Sequence, residues 1–196
     1  SSLNQIDTSN VQQLQVAWTY HTGGVDTAAS SQIQCNPIVV NGTMYVISPQ
    51  LKLIALDAAT GKQIWTYTPF DSISVNKRMF FVLNNCRGVA WWSDHKGNDR
   101  IIYTAGPFMR AINAKTGKLI DSFGNKGMID LREGLGRNSP DLFVTATSAP
   151  TIYKDLILTG TRVSEGMDAA PGHIRAYNVR TGKMEWIFHT IPRPGE

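Results

Sequence analysis

Cysteine is nearly missing from this chain: 196 residues include two, Cys35 and Cys86. Two cysteines cannot build a disulfide framework, and without a C-x-x-C spacing they do not make a zinc site. Charge is sparse as well, with Asp, Glu, Lys and Arg making up 17% of the chain and leaving a net +4. The basic residues, among them Lys52, Lys62, Arg78, Arg110, Lys126 and Arg175, are scattered. They read as a soluble surface of mixed sign; no run of them tracks a phosphate backbone, so nucleic acid is not an expected partner. No apolar stretch approaches the about 20 residues that a membrane helix needs. The sequence also lacks G-x-S-x-G, H-E-x-x-H and G-x-G-x-x-G, so covalent serine, zinc and nucleotide chemistry have no support. His21, His95, His173 and His189 are dispersed and read as ordinary loop or strand-end residues.

What the chain does have is a repeat. Ala55-Leu-Asp-Ala-Ala-Thr-Gly-Lys-Gln-Ile-Trp65, Ala111-Ile-Asn-Ala-Lys-Thr-Gly-Lys-Leu-Ile-Asp121 and Ala176-Tyr-Asn-Val-Arg-Thr-Gly-Lys-Met-Glu-Trp186 nearly superimpose, starting 56 and then 65 residues apart. In each, an apolar strand ends in Asp or Asn and a Thr-Gly-Lys turn reverses the chain. Gly61, Gly117 and Gly182 can adopt the positive φ that such a turn requires. Trp65 and Trp186 are large rings suited to wedging between neighbouring sheets. Upstream, Pro37–Ile47 reads as a second hairpin turning at Asn41-Gly42, and Pro150–Thr159 repeats it with a Lys154-Asp155 turn.

Each unit is therefore a four-stranded antiparallel sheet that cannot cover both of its faces alone, so the units must stack around an axis. The expected fold is an all-β propeller with blades at about 34–70, 87–124 and 145–190. Val16–Tyr20 reads as an outer strand closing a blade whose other strands lie elsewhere. Ile6–Leu14 reads as a short leading helix with Asp7, Thr8 or Ser9 at its N-cap. Three blades do not close a ring, so the chain is expected to be a piece of a longer propeller.

The Ala-x-Asp-x-x-Thr-Gly-Lys-x-x-Trp unit resembles the tryptophan-docking repeat of the pyrroloquinoline quinone (PQQ)-dependent quinoprotein dehydrogenases, which are eight-bladed β-propellers. Four further places match. Gln34-Cys-Asn-Pro37 stands where the family usually carries Glu-x-x-Pro, whose Glu contacts the quinone; here Gln34 keeps a hydrogen-bonding side chain and loses the charge. Asn85-Cys-Arg87-Gly88 resembles the family's Arg-Gly segment, in which a guanidinium pairs with a quinone carboxylate through its two-pronged fork. Thr147-Ser-Ala-Pro150 is similar to the stretch whose Thr hydroxyl meets the cofactor. Gly160-Thr-Arg162-Val-Ser-Glu165 is similar to the loop that supplies a carboxylate to a bound calcium ion, a cation that takes hard oxygen ligands.

The resemblance thus implies cofactor contacts at Gln34, Arg87, Thr147 and Arg162, a calcium ligand at Glu165, and a catalytic base in blades beyond Glu196. It implies a small-molecule sugar or alcohol substrate, a quinone or cytochrome electron acceptor, and a periplasmic setting. Alcohol-oxidising members carry two adjacent cysteines ahead of the Arg-Gly, whereas this chain has Phe80-Phe-Val-Leu-Asn-Asn85 there. The run Phe123–Gly136, together with Arg162-Val163, looks like the membrane-type glucose and related sugar dehydrogenases. Oxidation of an aldose to its lactone is the expected reaction, with an alcohol-type quinoprotein and a non-enzymatic scaffold propeller as alternatives. If Gln34 and Arg87 reach one quinone, Cys35 and Cys86 come within disulfide range; the other reading is two buried free thiols.

Overall fold

In each repeat the residue that opens the Thr-Gly turn also holds it shut. Asp57 accepts hydrogen bonds through Oδ1 from the Ala59 and Thr60 amides (3.1 and 2.8 Å) and the Thr60 hydroxyl (2.7 Å). Asn113 and Asn178 do the same for the two amides that follow them. Gly61, Gly117 and Gly182 complete the turns at φ 69°, 70° and 74°. Short polar side chains that satisfy the local backbone favour such turns, which is why the motif can recur unchanged.

The computed structural model describes residues 4–25, 31–70, 85–136, 142–192 and 194–195. Three four-stranded antiparallel sheets follow one another along the chain. The first holds β1 (Ile38–Val40), β2 (Thr43–Ile47), β3 (Leu53–Asp57) and β4 (Gln63–Tyr67). The second holds β5 (Ala90–Ser93), β6 (Asp99–Ala105), β7 (Phe108–Asn113) and β8 (Met128–Asp130). The third holds β10 (Thr151–Tyr153), β11 (Leu156–Thr159), β13 (Ile174–Asn178) and β14 (Met184–Phe188), while β9 (Val144–Thr145) and β12 (Arg162–Val163) pair separately. These are the blades of a β-propeller.

Alternation along β6 shows how the middle blade is packed. Ile101, Tyr103 and Ala105 join the core shared with the first blade, beside Tyr45, Ile47, Leu53 and Ala55. Ile102 points the other way, into the core shared with the third blade around Phe123, Ile157, Tyr177 and Val179. A strand buried on both faces is what stacking demands of a sheet with neighbours on each side.

Tryptophans link successive blades. The Trp65 ring lies against Gly117, so close that a Cβ there would sit 2.7 Å from the ring, and its indole N–H donates to the Ala114 carbonyl at 3.0 Å. Trp18 treats the first blade the same way, covering Gly61 and donating to the Ala58 carbonyl at 3.2 Å, while the Tyr20 hydroxyl bonds Gln63. Residues 16–20 themselves enter no β-ladder among the described residues.

Several expectations need correction. Trp186 has no neighbouring sheet to wedge against among the described residues. It lies on β14, the outer strand of the third sheet, 42% exposed beside Met184 and Phe188. The leading helix shrinks to one 3-10 turn, Val11–Gln13, because the Asp7 side chain and carbonyl tie down Ser9, Asn10 and Val11 instead of capping a longer helix. Arg110 and Arg175 are not surface charges but are 2% and 1% exposed. They occupy equivalent places, each directly before the repeat's Ala, and each reaches back to the preceding blade. Arg110 donates to the Pro69 carbonyl (3.3 Å), and Arg175 to the Leu131 and Glu133 carbonyls (2.7 and 3.2 Å). Backbone carbonyls, together with Phe70 and Phe108 around one guanidinium and Tyr177 against the other, stand in for water.

The second blade departs most from the repeat. Its outer edge is split, with Leu119 bridging Ile112 and the ladder resuming only at β8. The intervening residues put Gly124 against the third blade, where its amide donates to the Thr181 carbonyl at 2.8 Å. No tryptophan follows this turn, since Asp121 holds that place, and the close approach of Gly124 to Gly182 takes over the packing.

Candidate functional site

Three short lead-in segments, one before the first strand of each blade, lie side by side. The Asn36 amide donates to the Arg87 carbonyl (2.9 Å), and the Arg87 amide donates to the Thr147 carbonyl (2.8 Å). A parallel bridge joins Asn36 to Gly88. Gly88 is needed here because a Cβ would press on the Asn36 carbonyl at 3.3 Å and the Ala149 methyl at 3.4 Å. Residues 51 and 60 apart in sequence are thereby held on adjacent backbone, with Gln34 two residues ahead of Asn36.

Below this row two buried hydroxyls tie the second blade to the third, and a buried thiol braces the second lead-in on itself. Thr104 donates to the Ala146 carbonyl at 2.6 Å, and Thr145 donates to the Gly106 carbonyl at 3.1 Å. The Cys86 thiol donates to the Gly88 carbonyl at 3.2 Å. These bonds fix the floor, so the side chains above it are presented from a rigid support.

Of the residues singled out by sequence, Gln34, Arg87 and Thr147 are brought together through their backbones. Gln34 and Arg87 are exposed and Thr147 is half-buried; Gln34 donates through Nε2 to Gln32 at 3.0 Å. Arg162 lies on β12, paired across the ladder with Thr145, two residues from Thr147. Glu165 is exposed in the bend three residues beyond Arg162. Among the described residues no cluster of three or more His, Cys, Asp or Glu side chains that could hold a metal ion forms, at Glu165 or elsewhere. Phe80 to Asn84, the stretch compared with the adjacent cysteines, lies outside the described residues.

Two side chains that sequence reasoning passed over flank this site. Asn85 Oδ1 and Thr161 Oγ1 are buried and make no hydrogen bond. Asn85 is two residues from Arg87, and Thr161 adjoins Arg162. A buried polar atom without a partner is costly; the Thr161 hydroxyl fits a site that takes an anionic group such as the tricarboxylate PQQ, whereas Asn85 Oδ1, an acceptor, calls for a hydrogen-bond donor or a cation. The signal available in sequence was their place inside the two motifs already recognised. The histidines are also less scattered than they looked. The β13–β14 register sets His173 edge-on to His189 with ring centroids 4.6 Å apart.

Comparison with known proteins identifies relatives of this fold. All 196 residues match the family model described as the β-propeller domain of PQQ-dependent glucose, ethanol and alcohol dehydrogenases. The quinate/shikimate dehydrogenase (quinone) of Acinetobacter baylyi is 31% identical across 100% of this chain and 27% of its own length. The quinoprotein glucose dehydrogenase of Escherichia coli is 31% identical across 96% of this chain and 25% of its own length. The crystal structure of quinohemoprotein alcohol dehydrogenase from Comamonas testosteroni superimposes with a TM-score of 0.73 at 28% identity, over 100% of this chain and 26% of that one. The chain thus spans about a quarter of the length of the relatives it matches.

Proposed function

We propose that this chain, which belongs to the family of PQQ-dependent glucose, ethanol and alcohol dehydrogenases, forms one wall of the cofactor site of a dehydrogenase that oxidises a glucose-like aldose to its lactone. The observation that carries this reading is the pair of hydrogen bonds linking the lead-ins of the three blades, Asn36 to Arg87 and Arg87 to Thr147. They set the backbone of Arg87 beside those of Asn36 and Thr147, with Gln34 two residues ahead of Asn36.

The roles follow from donor chemistry. Arg87 pairs with a quinone carboxylate through two parallel N–H donors, and Arg162 supplies a second cation. Thr147 and Gln34 donate to neutral oxygens of the cofactor, and Asn85 and Thr161 offer it the buried polar atoms that lack partners in the protein. Glu165 gives one hard oxygen ligand to calcium, with the remaining ligands coming from outside this chain. The chemistry supplied by bound PQQ and calcium is acceptance of a hydride at a carbonyl polarised by a Lewis acid. The base that takes the substrate proton lies beyond this chain, and electrons leave to a quinone or cytochrome acceptor in the periplasm.

An aldose is favoured over a simple alcohol by the missing pair of adjacent cysteines and by the Phe123–Gly136 stretch. The test is to load the complete protein carrying this chain with PQQ and Ca²⁺ and follow reduction of a dye acceptor with glucose, ethanol and quinate in turn. Turnover with glucose exceeding the other two supports the proposal. Turnover confined to ethanol or quinate moves the substrate, and loss of PQQ binding altogether removes the site.

A further inference from the structure

The two cysteines of this chain lie on neighbouring lead-ins. Cys35 precedes Asn36, whose amide bonds the Arg87 carbonyl at 2.9 Å, and Cys86 precedes Arg87. Through the Asn36–Gly88 bridge, Cys35 and Cys86 are diagonal neighbours on adjacent parallel strands. A strand spacing of about 4.8 Å and a rise of about 3.3 Å per residue put such Cα atoms about 5.8 Å apart. That falls inside the about 4.4–6.8 Å that a disulfide spans.

In an extended ladder, diagonal neighbours point to opposite faces. Here the pairing is a single bridge, and both thiols pack into the same core, the one between the first and second blades. Burial pushes the Cys35 thiol up to about 11, against a lowering by the Ile47 backbone, and the nearby Cys86 adds a smaller upward push. Both side chains are free thiols in the described structure.

We propose that Cys35 and Cys86 form a reversible disulfide that clasps the lead-in of the first blade to that of the second, and that the structure described here is the dithiol form. The oxidant is a disulfide of the glutathione class. Cys35, the more accessible of the two, loses its proton and its thiolate attacks one sulfur of glutathione disulfide. The S–S bond of the oxidant breaks, one glutathione leaves, and Cys35 carries the other as a mixed disulfide. Cys86 then loses its proton and attacks the Cys35 sulfur, expelling the second glutathione. Two protein thiols have been oxidised and one glutathione disulfide has been reduced to two glutathione thiols.

The bond closes a loop that contains all four strands of the first blade and shifts the balance of folding toward the closed form. It also ties together the backbone beneath Gln34 and Arg87.

The test requires no quinone, so its outcome is independent of the proposed activity. The folded protein is equilibrated with glutathione disulfide at pH 8.5, where thiolate is more abundant, then quenched and digested with trypsin. The expected product is the peptide ending at Lys52 joined to Met79–Arg87. Dithiothreitol separates the two peptides and lowers the urea midpoint of the oxidised protein to that of the reduced one. Cys35→Ser, at the less buried site, leaves Cys86 free or glutathionylated, abolishes the joined peptide and removes the dependence of the urea midpoint on redox state. Glutathione adducts on both peptides separately, or two unreacted thiols in folded protein whose urea-unfolded form reacts, overturns the proposal.

Discussion

Arg100 donates through Nη1 to the Val179 carbonyl at 2.9 Å, and Val179 holds the same place in its turn as Ala58 and Ala114 hold in theirs. Those two carbonyls accept indole N–H groups from Trp18 and Trp65. Where the second blade lacks its tryptophan, a guanidinium from β6 supplies the donor and adds a second bond to the Arg180 carbonyl at 2.7 Å. The Trp92 face lies under both Arg100 and Arg180, and Arg180 ion-pairs with Asp155 at 3.3 Å.

Arg100→Ala leaves two turn carbonyls without their charged donor. A hydrogen bond to a charged group contributes about 1.5–3 kcal/mol, so the loss is expected to be about 2–4 kcal/mol by urea denaturation. Arg100→Lys, which keeps the charge but not the fork, recovers less than half of it. A change below about 0.5 kcal/mol in the Ala variant would mean that the blades are held by packing alone.

Gly117→Ala tests the tryptophan dock. Its φ of 70° strains any side chain, and the new methyl meets the Trp65 ring at 2.7 Å. Left-handed backbone costs about 1–2 kcal/mol and overpacking about 1–3 kcal/mol, so destabilisation of about 2–5 kcal/mol is expected. Gly42→Ala, with φ 77° but open space around it, loses only the backbone part.

In the complete protein, Arg87→Ala is expected to weaken PQQ binding about 10–100-fold, the loss of one charge-assisted pair. Glu165→Ala raises the calcium concentration needed for half-maximal activity and leaves folding unchanged, because the side chain is exposed. Isothermal titration with the quinone and a calcium titration of activity measure the two effects. Wild-type behaviour in both variants would dismiss the assigned roles.

Asp130 gives a pH signature. Partial burial raises its carboxyl, but the Arg132 fork (2.7 and 2.9 Å), the Arg132 amide and the charge of Arg175 outweigh that and hold it below the usual range. A lowered folded value stabilises the protein above about pH 4 and ceases to do so as pH falls through it. Urea midpoints of the parent therefore decline on acidification below about pH 4, and Asp130→Asn shows a shallower decline.

The repeat was legible in the sequence because its turns are made by their own residues: Asp57, Asn113 and Asn178 bond amides two and three positions on. The split edge of the second blade was not, since Leu119 and Met128 occupy one outer edge while the chain between them leaves it. Nor was the burial of Arg110 and Arg175, whose partners are carbonyls 41 and 44 residues upstream. Side-chain identity carries no mark of a backbone acceptor so far away. At the site, Arg87 and Thr147 were legible as members of motifs, whereas the hydrogen bond joining their backbones exists only once blades stack.

The arginine clasps and the tryptophan docks run in opposite senses along the chain. Trp65 needs the turn of the blade made after it, and Arg110 needs the exit of the blade made before it. The second blade can thus lodge Arg110 as soon as it folds, while Trp65 of the first blade stays unseated until that second blade has formed.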